Sequence, residues 1–244
     1  MRVVVLEHER FAPAGFVGEQ LAERGCSLHV ARIADGRAAG PDPLPDLTAA
    51  DLVVTMGSSR GVHERAELAW IEPELAALRA AHERGTPILG VCFGGQALAA
   101  ALGGVAEPAR RPEIGWLELE VAPATVPAGP WLSWHADHFL APAGAEELAR
   151  SDRHSHAFRH GRTVGLQFHP EVDAATVERW VTEAMSDFFE RHAISPDVVL
   201  DRLDEHVARA QASCAALVDW YLDSVVGATL PATGAAQPAA AGGA

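Results

Sequence analysis

Pro87-Ile88-Leu89-Gly90-Val91-Cys92-Phe93-Gly94-Gly95-Gln96 is a short apolar run that ends in a thiol followed by two glycines. The run from Pro87 to Val91 reads as a buried strand, and the Ala/Leu-rich stretch from Gln96 to Leu102, closed by Gly103-Gly104, reads as a helix. Only Cys92 to Gly95 remain for the turn between them. Glycines permit so tight a bend and leave the sulfur uncrowded, so Cys92 is expected on a strand-to-helix elbow. A helix amino terminus beside the sulfur favours its thiolate, and the N–H of Phe93 is placed to bind an oxyanion. By itself the stretch also describes a buried cysteine next to a glycine-rich turn.

Upstream of this elbow the chain alternates. Val3 to Leu6 is a continuous apolar run of buried-strand type, and Phe16, Val17 and Leu21 then follow helical spacing up to Gly25. Ser27 to Ile33 reads as a second strand, and Asp51 to Met56, after a Pro-rich loop at 41–45, as a third. Leu68, Ile71, Leu75 and Leu78 predict a helix over about 64–84. This order predicts an α/β, flavodoxin-like fold: a mostly parallel sheet with helices on both faces.

Downstream the character changes. Ile114 to Val121 alternates apolar and polar residues, and short pieces around Leu148, Ala157-Phe158 and Val164 to Phe168 predict a small antiparallel addition. Helix returns at about 174–192. After Ser195-Pro196, the residues Val199, Leu203, Val207, Ala210, Cys214, Leu217, Tyr221 and Val225 hold one apolar seam and predict an extra C-terminal helix over about 196–226. Such a seam implies burial against the body or a partner. The expected division is residues 1–192 as one domain, 193–227 as a helical extension, and 228–244 as an Ala/Gly/Pro tail with too few large apolar groups to order.

Composition narrows the function. The 244 residues carry 19 basic and 33 acidic side chains, a formal charge of -14, which repels phosphate backbones and anionic lipid. No nucleic-acid or membrane partner is expected. All basic side chains are arginine, so lysine-dependent phosphate loops and Schiff-base cofactors are excluded. Cys26, Cys92 and Cys214 show no paired spacing, which argues for a reducing cytoplasm over a disulfide scaffold or a Cys-rich zinc site. No targeting segment or membrane span is visible.

A second stretch bears chemistry. Leu166-Gln167-Phe168-His169-Pro170-Glu171 ends a strand in an imidazole and a carboxylate two residues apart. A cysteine nucleophile needs a base to take its proton and pass it to the leaving group, and a third group to orient that base. His169 and Glu171 have those chemistries. Alone, they also describe a surface histidine beside a helix-start glutamate.

Taken together, the Gly-x-Cys-x-Gly-x-Gln elbow and the downstream His-Pro-Glu resemble the class I glutamine amidotransferases, in order and separation, over roughly residues 1–190. Ser133-Trp134-His135-Ala136-Asp137 looks like that family's Ser/His/Asp segment facing the glutamine pocket. Glu113-Ile114-Gly115-Trp116 is similar to a segment of its stand-alone members, those resembling the amidotransferase domain of GMP synthetase. The resemblance implies Cys92 as nucleophile, His169 as acid and base, and Glu171 as its orienter. It also implies oxyanion donors at Phe93 and near Gly57 or Ser58, and a substrate pocket lined by Gln96, Ser133, Trp134, His135 and Asp137. Many relatives carry Gly-Gly after the third strand, where this chain reads Met56-Gly57-Ser58-Ser59.

The implied reaction is hydrolysis of the glutamine side-chain amide through a γ-glutamyl thioester, with ammonia passing to an acceptor held by a synthetase subunit in trans. No cofactor is implied. Two other readings stand beside it: a self-sufficient hydrolase of γ-glutamyl peptides or conjugates, and a non-catalytic interaction module of the same fold. The twelve histidines, among them His135, His138, His154, His156 and His160, fix no closed ligand set by spacing, so no metal is expected. Trp131 and Trp134 read as core or pocket wall, and Arg110-Arg111 as a solvated loop.

Overall fold

The computed structural model describes residues 1–184 and 186–227. In chain order, β1 (Arg2–Glu7), α1 (Gly15–Glu23) and β2 (Ser27–Arg32) are followed by a small hairpin, β3 (Ala34–Asp35) and β4 (Ala38–Ala39). Next come β5 (Leu52–Thr55), α2 (Ile71–Glu83), β6 (Ile88–Val91) and α3 (Phe93–Ala101). Six strands follow: β7 (Val105–Leu117), β8 (Glu120–Val121), β9 (Trp131–Leu140), β10 (Glu146–Arg150), β11 (Ser155–His160) and β12 (Thr163–Leu166). Helices α4 (Ala174–Arg179), α5 (Ser186–His192), α6 (Asp197–Leu200) and α7 (Leu203–Trp220), with π-helical segments at Trp180–Ala184 and Tyr221–Val226, complete the described chain.

Eight strands form the main sheet in the order β2-β1-β5-β6-β12-β11-β10-β8. The first five are parallel, and β11, β10 and β8 extend the edge antiparallel. Counting parallel strands alone, the order is 2-1-3-4-5, the flavodoxin-like winding in which ligands sit beyond the strands' carboxyl ends. β7 and β9 pair separately as a long antiparallel ribbon.

Burial on both faces explains the apolar runs. Along β1, Val3 and Val5 join one core while Val4 and Leu6 join the other. The first core lies under α1 and α7, and the second under α2 and α3. A third cluster gathers Trp134, Trp180, Phe188, Phe189 and Val199 beneath the ribbon. Among the described residues, no helix is long and apolar enough to cross a membrane.

The C-terminal seam is spent within the chain. Cys214, Leu217, Val218, Tyr221 and Leu222 pack into the same core as Val17 and Leu21 of α1. Arg24 Nε binds Asp219 Oδ1 at 2.6 Å, and the Arg162 guanidinium donates to the carbonyls of Val225 and Val226.

Three boundaries differ from expectation. The helix expected at 64–84 starts at Ile71 after a 3-10 turn at Val62–Ala66, because Pro73 belongs in a first turn and not in a helix interior. The strand expected at 114–121 begins at Val105, since a ribbon outside the main sheet tolerates the charged Glu107, Arg110 and Arg111. The helix expected at 196–226 breaks at Arg202, which is left-handed at φ 52°; this places both Val199 and Leu203 in the third cluster. The expected disordered tail at 228–244 lies outside the described residues.

Candidate active site

The carboxyl ends of β5, β6 and β12 meet at one rim, and the elbow is built there. Cys92 caps α3 with φ 52° and ψ -106°, a conformation that costs a non-glycine residue about 1–3 kcal/mol and persists only where the surroundings enforce it. They do so from both sides: Cys92 N–H donates to Leu166 O at 2.9 Å, and Gly94 N–H to Met56 O at 3.1 Å. An added Cβ at Gly94 would overlap the Thr55 carbonyl oxygen, and one at Gly95 that of Leu166. The glycines are therefore required by close approach of α3 to the ends of β5 and β12.

His169 follows β12 and is anchored by its N–H to Leu132 O at 2.8 Å. Its Nδ1 lies 2.7 Å from Glu171 Oε1, and since the carboxylate only accepts, Nδ1 carries the proton. Glu171 is itself tied to α1, its carbonyl accepting Phe16 N–H at 2.8 Å. Trp180 meets the imidazole edge-on at a centroid distance of 4.9 Å. His169 and Cys92 border one cavity on either side of Gly57, whose Cβ, were there one, would lie 3.6 Å from His169 Cε1 and 3.8 Å from Cys92 Cβ. Burial disfavours the imidazolium, but Glu171 and then Cys92 outweigh it and hold the His169 pKa well above the ordinary histidine range.

Two backbone segments adjoin Cys92, the start of α3 and the Gly57 turn. Phe93 opens α3, so its N–H has no carbonyl one turn back. The Gly57 peptide is fixed from behind: its carbonyl accepts from His8 Nδ1 at 3.3 Å, His8 Nε2 lies 3.0 Å from Glu74 Oε2, and Glu74 Oε1 accepts from Thr55 Oγ1 at 2.7 Å. His8, Glu74 and Thr55 are fully buried. Burial lowers the His8 pKa, but the Glu74 carboxylate and the Gly57 carbonyl raise it further, so the net shift is upward. Sequence reading missed this relay. Its signal was a carboxylate at position 74 amid the apolar stripe of Ile71, Leu75 and Leu78.

A pocket of about 310 Å³ opens beside Cys92. Gln96, Trp134, His135 and Asp137 line it, with Gln96 Nε2 donating to Asp137 O at 3.1 Å and to Gln167 Oε1 at 3.3 Å. Ser133 does not reach it: fully buried, it turns its hydroxyl to Glu113 O at 3.4 Å. Only the stretch of β9 from Trp134 to Asp137 borders the pocket, and Ser133, paired with Gly115 inside the ribbon, lies one residue short of it. His135 lines the wall, yet both ring nitrogens address protein groups, Nδ1 to Asp137 O at 2.8 Å and Nε2 towards Glu113 Oε2 at 3.4 Å.

At the mouth, His63 Nδ1 lies 2.9 Å from Asp137 Oδ2. Burial raises the Asp137 pKa, and His63 only partly offsets it. Arg60, Glu64, Asp187, Arg191 and His192 complete a rim of mixed charge. The contribution of α5 was not foreseen, since nothing in a helix's own periodicity says which distant wall it completes.

Residues 17–185 match the family model for glutamine amidotransferase class-I. The GMP synthase [glutamine-hydrolyzing] of Helicobacter pylori (strain G27) is 34% identical over 166 residues, 59% of this chain and 31% of that protein. The GMP synthase [glutamine-hydrolyzing] of Thermomicrobium roseum is 44% identical over 99 residues, 37% of this chain and 19% of that one. The chain thus spans less than a third of the length of these relatives. Among solved structures, a glutamine amidotransferase from Thermotoga maritima superposes with a TM-score of 0.77 at 27% identity, covering 93% of this chain and 99% of its own. A glutamine amidotransferase from Methylobacillus flagellatus shares the fold with a TM-score of 0.79 at 24% identity, covering 92% and 95%. An elbow thiol beside a buried imidazole, on this sheet order and with this family match, has one conclusion: the chain belongs to the class I glutamine amidotransferases.

Proposed function

We propose that Cys92, His169 and Glu171 hydrolyse the side-chain amide of glutamine as a catalytic triad. The carrying observation is the strained Cys92 beside His169, whose Nδ1 is 2.7 Å from Glu171 Oε1. His169 takes the thiol proton and the Cys92 sulfur attacks the amide carbon. The oxyanion is received by Phe93 N–H and a donor at Gly57 or Ser58. Collapse breaks the C–N bond, and the proton held on His169 leaves with ammonia. Water, deprotonated by His169, then cleaves the γ-glutamyl thioester to glutamate, and the proton returns to the thiol. The charged rim suits a zwitterion, with Arg60 and Arg191 available to the α-carboxylate and Asp137 and Asp187 to the α-amine.

Residues 1–192 form the amidotransferase unit and 193–227 its helical extension. The ammonia acceptor is activated by a synthetase chain supplied in trans, consistent with the absence of lysine and hence of a phosphate-loop lysine in these 244 residues. Three free cysteines suit a reducing compartment such as the cytoplasm.

Ammonia release from glutamine by the wild-type chain and Cys92→Ala tests the reading, together with labelling by an electrophilic glutamine analogue. Cys92→Ala is expected to abolish both signals. Wild-type turnover in that variant, or labelling at a different residue, overturns the assignment. The pocket also reaches Arg191 and His192 beyond the triad, which favours a second reading in which γ-glutamyl conjugates enter. Faster turnover of γ-glutamyl dipeptides than of glutamine would select it.

A further inference from the structure

Behind the pocket wall, three ligand-type side chains converge from three strands. Glu113 on β7 sits opposite His135 on β9 in the ribbon's register, and His156 comes from β11 of the main sheet. Their nearest ligand atoms lie within 4.8 Å of one another, and all three side chains are buried. His156 Nε2 is 2.7 Å from Glu113 Oε2, and His135 Nε2 is 3.4 Å from the same oxygen.

Tautomers show what this arrangement lacks. A carbonyl only accepts, so the 2.8 Å contact of His135 Nδ1 with Asp137 O places the proton on Nδ1. Nε2 then presents a lone pair to a carboxylate oxygen and has no hydrogen-bond partner, on a residue only 4% exposed. Two acceptors facing each other in a dry interior repel, and a buried acceptor left unmet is destabilising. A cation between them removes both costs.

We propose that Glu113, His135 and His156 bind one divalent first-row transition-metal ion, with zinc as the probe. Two imidazoles and a carboxylate are a common donor set for such ions, and ligands about 2.1 Å from a tetrahedral zinc stand about 3.4 Å apart. The His135 to Glu113 separation already meets that spacing. The His156 contact widens by a rotation of the carboxylate. Second-sphere support is present, because His135 donates its other N–H to a backbone carbonyl, as metal-bound histidines do. An approach exists along the groove that Glu113 shares with Pro112, Asp152 and Arg153, and His154, its ring 5.7 Å from that of His135, stands near the fourth position. The bound ion would fix His135, and through Asp137 O the Gln96 amide that shares it, so the site braces the pocket without touching the thiol.

The test is zinc titration of the full chain after chelator treatment, in a Cys92→Ala background that removes the thiol bordering the pocket. Uptake of one equivalent is expected, with X-ray absorption reporting two imidazoles, oxygen donors and no sulfur. His156→Gln, which keeps a donor towards Glu113, is expected to lower affinity more than about tenfold. His160→Gln, which dismantles the stacked His82–His160 pair, is expected to change nothing. Absence of saturable one-to-one uptake overturns the proposal. So does uptake unaltered by His156→Gln in a folded variant, or uptake lost in His160→Gln instead. Should His156→Gln fail to fold, the absorption spectrum decides alone: any donor set other than two imidazoles with oxygen overturns it.

Discussion

His169 and His135 are each 4% exposed, each sits on or just beyond a strand, and each faces a glutamate carboxylate. Their protonation runs opposite ways. His169 has Glu171 to itself and adds the influence of Cys92, so its pKa rises well above the ordinary value despite burial. His135 is desolvated to the same degree but shares Glu113 with His156, whose charge opposes its own, and its pKa is pushed down to about 4. Burial alone therefore does not decide a histidine's state. The number of imidazoles per carboxylate and the direction of each lone pair do.

The largest effect expected from breaking this contrast is at Glu171. Glu171→Gln preserves shape but lets the amide present a donor or an acceptor to Nδ1, and kcat for glutamine hydrolysis should fall by about 10⁴-fold, as loss of the orienting carboxylate does in other triads. Steady-state ammonia release measures it, and a fall of less than about tenfold would remove Glu171 from the mechanism.

Next comes the pH dependence of stability. The depressed His135 pKa means the unfolded chain binds a proton that the folded chain refuses. Stability from this group is complete above about pH 6.5 and is lost as pH falls towards about 4, up to about 3 kcal/mol in the metal-free protein. His135→Gln should flatten the urea-unfolding free energy in that window by up to about 1.4 kcal/mol per pH unit. His169 works in reverse: its raised pKa supplies stability that is full below about pH 6.5 and fades as pH climbs through the folded value. A His169→Gln variant should therefore lose its deficit relative to wild type on the alkaline side, not the acidic one.

The third pair, His8 and Glu74, tests whether a buried histidine can act at one remove. Glu74→Gln removes the charge that holds His8 against the Gly57 carbonyl, and kcat should fall about tenfold with KM nearly unchanged, since only the transition-state oxyanion needs that peptide. Equal changes in kcat and KM would assign the pair to packing alone. Arg191→Ala at the solvated rim should do least, raising KM for glutamine about two- to fivefold because exposed charges are screened.

The parallel half of the fold was legible because burial on two faces writes itself as unbroken apolar runs, as in Val3 to Leu6 and Ile88 to Val91. The elbow position of Cys92 and the pairing of His169 with Glu171 were legible for another reason, since turn glycines and a rigid His-Pro-Glu spacer are local patterns. The Glu113–His135–His156 convergence was not. It depends on the register of β7 against β9, a bulge between Pro108 and Glu113, and the approach of a third strand, none of which is local in the chain. Ser133 was misplaced by the same cause, because where along β9 the pocket begins, at Trp134, is set by the distant elements that close it. The break at Arg202 escaped as well, since an apolar seam at steps of three and four reads through a four-residue helix without interruption.

The docking of α7 against α1 has a cost in time. Trp131, Leu166, Phe168 and their neighbours on that side of the sheet are sealed by Cys214, Leu217 and Tyr221, residues that leave the ribosome after every strand of that sheet has been made. Until then the nascent molecule displays a broad oily surface of the kind that invites self-association. Messages truncated upstream of Leu203 should therefore yield sticky, chaperone-bound polypeptide and not a smaller working enzyme.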